Sequence, residues 1–253
     1  GYSKDPLREA DFVKKNPLLK KYSGRALLMP TAACAIHCRY CFRRHFPYEK
    51  TASAKELNVA LDSIRSDRSI DEVILSGGDP LMLSNQKLFS YLSAIDRILH
   101  VKRLRIHSRI PVVTPSRIDD SFLKILSKLK TPTVLVIHPN HPSEIDKNVT
   151  ATLACLKRTG ITILNQSVLL KDINDDAETL KVLSEKLFSA GVLPYYLHLL
   201  DRVDGAAHFE VSDQRARTIE TALREMLPGY LMPKFVREIP GMYSKTPLDK
   251  ISV

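Results

Sequence analysis

The chain has 253 residues, is 44% hydrophobic, and sets 38 Lys and Arg against 28 Asp and Glu for a formal charge of +10. That is enough apolar material for one large core, but no run approaches the ~20 residues needed to cross a bilayer, and no secretory pattern opens the chain. Four cysteines, three of them clustered, look like metal ligands in a reducing compartment rather than a disulfide framework, so a cytoplasmic protein is expected. The basic excess falls in pairs such as Lys14-Lys15, Lys20-Lys21 and Arg43-Arg44 with no long basic arm, so nucleic acid is not the expected partner.

Short aliphatic runs recur along the chain at Ala26–Met29, Glu72–Leu75, Leu104–His107, Thr133–His138, Ile161–Val168 and Val192–Leu199. Each reads as a buried strand, because branched and aliphatic residues dominate without polar alternation. Helical spacing fills the gaps: Leu57, Ala60, Leu61, Ile64; Leu88, Leu92, Ile95, Leu99; Phe122, Ile125, Leu129; and Leu180, Leu183, Leu187. Asp119-Asp120, Ser143 with Asp146, and Ser212 supply helix starts, while Gly160 and Gly191 fall where helices should stop. Six strand–helix units predict an α/β fold, a (β/α)6 TIM-like barrel that is partial or nearly closed. Residues 1–24 are expected to form a short N-terminal extension, and residues 25–253 the catalytic barrel with a capping C-terminal segment. Active sites of such barrels lie at the carboxyl ends of the strands.

The first of those ends leads into the loop expected over Thr31–Pro47. It carries Cys34, Cys38 and Cys41 in Cys-Ala-Ile-His-Cys-Arg-Tyr-Cys. A structural zinc site needs four protein ligands; His37 and His45 are nearby, but the spacing differs from paired-cysteine zinc knuckles. Three thiolates with no evident fourth suit an iron–sulfur cluster that leaves one iron open. The spacing CxxxCxxC is the signature of radical S-adenosylmethionine enzymes. Cys155, between Leu153 and Leu156, reads as a core residue. Ser76-Gly77-Gly78-Asp79-Pro80 follows the second strand, either as an ordinary turn or as a place where backbone without Cβ approaches a ligand.

Taken together, the block from Arg25 through Cys34-Ala-Ile-His-Cys-Arg-Tyr-Cys-Phe-Arg-Arg-His-Phe resembles the lysine 2,3-aminomutase family. Within that family the chain looks most like the subgroup that serves β-lysylation of elongation factor P. The likeness continues through Ser76-Gly-Gly-Asp-Pro, Arg105-Ile-His-Ser-Arg, Asn165-Gln-Ser-Val-Leu-Leu, Pro194-Tyr-Tyr-Leu-His and Ser244-Lys-Thr-Pro-Leu, nearly the whole chain. The resemblance implies a [4Fe–4S] cluster on Cys34, Cys38 and Cys41, S-adenosylmethionine on its open iron, a 5′-deoxyadenosyl radical, and lysine held on pyridoxal 5′-phosphate. It implies Lys245 as the pyridoxal phosphate lysine, Arg25 on the phosphate, and Tyr22 and Gln166 lining the same pocket. Gly77, Gly78 and Asp79 are expected near the methionine amino group, and Ser108 and His138 near S-adenosylmethionine. Arg43 is expected to bind the substrate carboxylate, and Asp201 and Glu238 its ε-ammonium.

The family has an aspartate where this chain has Glu238, one methylene longer, which matches the β-lysylation subgroup. No cysteine follows Cys155, so the zinc cluster of the fermentative members is not expected. The implied partners are lysine, a flavodoxin- or ferredoxin-type electron donor, and elongation factor P with its lysyl ligase. Two other readings stand beside this one: a radical enzyme acting directly on RNA or protein, and a non-catalytic iron–sulfur or zinc module. Neither calls for Lys245 or Arg25.

Overall fold

A computed structural model describes residues 1–15, 17–45 and 52–251. Phe46 and Pro47, at the end of the expected cysteine loop, lie outside the described residues. Among the described residues ten strands form one sheet whose spatial order follows the chain. They are β1 (Val13–Lys15), β2 (Leu18–Leu19), β3 (Arg25–Thr31), β4 (Glu72–Gly77) and β5 (Arg103–His107), then β6 (Thr133–Ile137), β7 (Thr162–Val168), β8 (Leu193–His198), β9 (Lys234–Arg237) and β10 (Thr246–Pro247). Strands β3 to β9 are parallel, β2 and β10 flank them antiparallel, and β1 pairs antiparallel with β2. Among the described residues β1 and β10 remain the ends of the sheet, so the barrel is unclosed.

The helices are α1 (Ala54–Ser66), α2 (Asn85–Asp96), the single turn α3 (Ile110–Val113), α4 (Asp120–Ser127), α5 (Lys147–Lys157), α6 (Ala177–Ser189) and α7 (Asp213–Met226). Their starts follow the polar residues seen in sequence. Asp119 accepts from Phe122 N, Asp146 from Val149 N and Ser212 from Arg215 N. Each such cap is worth about 1 kcal/mol. Gly160 and Gly191, with φ of +83° and +81°, end α5 and α6 as expected. The apolar faces Leu57, Ala60, Leu61, Ile64 and Leu88, Leu92, Ile95 pack fully buried against the sheet, at roughly 1.5–3 kcal/mol for each large aliphatic side chain.

Two expectations are corrected. Strands β4, β5 and β7 alternate between buried and partly exposed residues, whereas β6 is buried at four of its five positions as expected. In β7, Ile163, Asn165 and Ser167 are buried while Leu164, Gln166 and Val168 are not. In β4, Val73 and Leu75 are buried between the half-buried Glu72, Ile74 and Ser76. The buried parity faces the helices, and the other parity, with Ile74, Ser76, Gln166 and Val168, lines a central cavity. Alternation was invisible because Ile and Val occupy both parities.

The second correction adds a seventh parallel strand, β9. Its sequence is Lys-Phe-Val-Arg, and only Phe235 and Val236 are apolar and buried. It is a strand because β8 pairs with it (Leu197↔Phe235) and β10 returns along it (Thr246↔Arg237). That return brings Lys245, just before β10, beside Glu238, just after β9.

Candidate active site

The carboxyl ends of the parallel strands open into a cavity of about 320 Å³. Every residue singled out from sequence as a site residue lines it: Tyr22, Arg25, Cys34, Cys38, Cys41, Arg43, Gly77, Gly78, Asp79, Ser108, His138, Gln166, Asp201, Glu238 and Lys245. These come from positions 22 to 245, so the convergence is a property of the barrel and not of any local segment.

On the cysteine side, burial pushes the Cys34 thiol up to about 11, with the charges of Asp79, Cys41 and Cys38 adding to it, and burial also raises Cys41. The Cys34 and Cys41 thiols resist ionisation and need positive charge beside them before they can be thiolates, which iron provides. Among the described residues no three His, Cys, Asp or Glu side chains gather as around a single metal ion. A cluster makes a different demand, since each cysteine binds a separate iron. The donor set therefore fits a cluster.

The glycine motif is bonded to the backbone of the cysteine loop. Gly78 N donates to Thr31 O and Asp79 N to Ala33 O, at 2.9 and 2.7 Å. A Cβ on Gly78 would stand 2.4 Å from Ala33 O and 2.6 Å from the Ala32 carbonyl carbon. Gly78 is thus required where β4 meets the backbone of the cysteine loop. The Asp79 carboxylate is likewise engaged. It accepts from Leu81 N at 3.0 Å, Ser108 Oγ at 2.8 Å, Arg109 N at 2.8 Å and Ile110 N at 3.3 Å. Ser108, expected near S-adenosylmethionine, spends its hydroxyl on Asp79.

Arg109 completes this wall. It donates to Cys38 Sγ at 3.0 Å and Tyr40 Oη at 2.7 Å through one nitrogen, and to Glu144 at 2.8 Å through another. Asn140 also donates to Tyr40 Oη, at 2.6 Å. The cysteine loop is so tied to the ends of β5 and β6. The His107 and His138 rings stack with centroids 5.3 Å apart, and His138 Nδ1 meets Gln166 O at 3.1 Å. Burial holds both imidazoles neutral, taking His138 down to about 4 against the help of that carbonyl.

Arg43 is buried and grips Glu9 with two bonds of 2.7 Å, from Nε and Nη2, while Nη1 donates to Ser76 Oγ at 3.1 Å. Glu9 belongs to the N-terminal extension, and only the tertiary fold reveals it. Arg25 lies over the Tyr22 ring with 4.8 Å between guanidinium and centroid.

On the opposite side, Glu238 holds Lys245 at 2.6 Å on one oxygen and Lys21 at 2.7 Å on the other, with the Tyr22 hydroxyl also donating to the second. Burial works against the Glu238 charge, but Lys245 and these donors outweigh it and hold the carboxyl well below the usual range. The Lys245 ammonium also faces the Tyr196 ring at 5.7 Å.

Asp201 is the exception among the acids. Its Oδ1 is sealed from solvent without a partner, and burial pushes its carboxyl up to about 7, with Lys245 only partly opposing. His198 Nε2 is likewise buried and unpartnered. A sealed carboxylate oxygen with no donor fits an arriving ammonium. Lys21, Glu9 and His198 were not assigned roles from sequence. His198 at least falls at a strand end, whereas Lys21 and Glu9 carry no local signal. Cys155, expected in the core, is only half-buried and lies 3.0 Å from Arg158.

A sequence profile of the Radical SAM superfamily matches residues 28–183. L-lysine 2,3-aminomutase of Escherichia coli K12 is 50% identical over 250 residues, covering 98% of this chain and 73% of the relative. L-lysine 2,3-aminomutase of Haemophilus influenzae is 49% identical over 247 residues, covering 97% and 73%. Among solved structures, Streptococcus suis SuiB bound to S-adenosylmethionine superposes with a TM-score of 0.63 at 15% identity, over 91% of this chain and 54% of that one, a likeness of fold alone. By profile and by identity, the chain belongs to the lysine 2,3-aminomutase family, isomerases of the radical S-adenosylmethionine superfamily.

Proposed function

We propose that this cavity moves the amino group of L-lysine from the α to the β carbon. It would use a [4Fe–4S] cluster on Cys34, Cys38 and Cys41, S-adenosylmethionine at the open iron, and pyridoxal 5′-phosphate on Lys245. The observation that supports this most is a single cavity lined at once by three cysteines, by Lys245, and by acids and bases at separate positions. When bound, these groups supply a 5′-deoxyadenosyl radical and an electron-delocalising carrier for the migrating amine.

The chain's own residues set the geometry. Arg25, braced on the Tyr22 ring, offers a planar fork suited to the cofactor phosphate, and Gln166 offers an amide at the end of β7. Arg43, fixed by Glu9 and Ser76, is assigned to the lysine carboxylate. Asp201, with its unpartnered oxygen, is assigned to the ε-ammonium together with Glu238. Gly77, Gly78, Asp79, Ser108 and His138 shape the wall nearest S-adenosylmethionine, with the glycines and Asp79 acting by fixing loops. The neutral His107 and His138 keep a dry interior free of extra charge.

The product is proposed to be (R)-β-lysine for attachment to elongation factor P by its lysyl ligase, in the cytoplasm, with electrons from a flavodoxin or ferredoxin. Glu238 in place of the family's aspartate supports this subgroup. Among the described residues no helix is long and apolar enough to cross a membrane.

Anaerobic reconstitution with iron and sulfide, followed by S-adenosylmethionine, pyridoxal phosphate, dithionite and L-lysine, tests the reading. Chiral chromatography is expected to show (R)-β-lysine, absent with Lys245→Ala. Turnover of a lysylated protein without turnover of free lysine would overturn it.

A further inference from the structure

Glu238 is shared by two ammonium groups in the structure. Lys245 takes Oε2 at 2.6 Å and Lys21 takes Oε1 at 2.7 Å. Glu238 is buried, with 7% of its side chain exposed, and Lys21 nearly so at 13%. Lys21 is confined further by the faces of Phe12 and Tyr22, 5.7 and 5.6 Å from its nitrogen. Tyr22 adds its hydroxyl to the same carboxylate oxygen.

The two lysines face different demands. Under the reading above, on which this inference rests, Lys245 must leave Glu238, because an ammonium held by a carboxylate has no lone pair to offer. A carboxylate abandoned in so buried a place would carry a severe desolvation penalty. A standing cation that never leaves removes that penalty.

We propose that Lys21 is a positioning residue: it keeps Glu238 ionised and aimed into the cavity while Lys245 exchanges the carboxylate for the cofactor. Lys21 touches neither cofactor nor substrate in this role. Its short bond to Oε1, with Tyr22 beside it, pins one edge of the carboxylate and leaves the Oε2 edge for whichever cation occupies the cavity. Without Lys21, Glu238 would hold Lys245 as its sole cationic partner, and cofactor attachment would have to break that pair outright.

The test is titration of the purified full chain with pyridoxal phosphate, read by absorbance, with borohydride trapping and peptide mapping; no cluster or turnover is needed. Lys21→Met is expected to weaken pyridoxal phosphate binding by about tenfold or more, the scale of losing one partner from a buried charge cluster. Lys21→Arg, which keeps the charge, should stay within about threefold. Lys21→Met combined with Glu238→Gln should recover most of the loss, since no carboxylate then needs a counterion. A Lys21→Met protein that binds pyridoxal phosphate like the parent would overturn the proposal. So would a double variant no better than the single, which would show a merely structural role. Lys245→Ala separates the two levels of the argument: if it still traps pyridoxal phosphate at an unchanged site, the cofactor-lysine assignment fails and the role of Lys21 with it, whereas loss of trapping in Lys245→Ala beside parental binding in Lys21→Met overturns the role of Lys21 alone.

Discussion

Two aspartates near strand ends, one on each side of the cavity, show how differently the same side chain is used. Asp79, after β4, is buried and accepts from four donors within the protein. Asp201, after β8, has a sealed oxygen with no donor. Burial raises both carboxyls. At Asp79 four hydrogen bonds oppose the rise; at Asp201 chiefly the charge of Lys245 does. The Asp79 carboxylate is therefore part of a finished scaffold, whereas the Asp201 carboxylate is incomplete by itself. Unmet bonding capacity marks where a ligand arrives; satisfied capacity marks what holds the site still.

Substitution tests that contrast directly. Asp79→Ala should cost about 3 kcal/mol or more in denaturant stability, because it strips buried donors of their acceptor, and iron loading should fall with it. A variant of parental stability would break the contrast. Asp201→Asn should leave the circular dichroism spectrum unchanged and lower kcat/KM for lysine by about 10²-fold, the scale for removing one partner of a buried charge pair. A large loss of fold instead would make Asp201 a scaffold residue too.

Gly78→Ala comes next. Its Cβ would meet backbone of the cysteine loop at 2.4 Å, so two main-chain segments must part, at about 1–3 kcal/mol. Melting temperature and iron content together report it. A parental melt would show that the loop yields freely.

The smallest effect is in pH. The carboxyl of Asp201 is raised from 3.8 to about 7, so the folded protein holds a proton that the unfolded chain has lost. Stability is then full below pH 3.8 and falls as pH rises through 7. Asp201→Asn removes this loss, so it should raise the melting temperature at pH 8 and leave it unchanged near pH 4, at about 2–4 °C for each kcal/mol released. Lysine binding near pH 6 should correspondingly release a proton, seen by calorimetry in buffers of different ionisation enthalpy. Equal melting curves at both pH values would refute the raised carboxyl.

Much of this was legible in the chain. The three cysteines, the glycine turn, six of the seven parallel strands and the helix caps are local signals, each carried by spacing or by one residue's chemistry. The motifs in order were sufficient to indicate the family. What local pattern missed shares one cause. β9 has two buried apolar residues and becomes a strand only between β8 and β10. Glu9 and Lys21 sit in a segment without periodicity, and their partners Arg43 and Glu238 lie 34 and 217 positions away.

The sequence alone thus determined the kind of barrel, the cluster of three thiols and the set of residues that would meet. Only the tertiary structure decided which of those residues are satisfied and which stand open. A residue's identity fixes how many hydrogen bonds and charges it brings, but whether a partner or a void awaits it depends on strands far apart in the chain closing around one cavity.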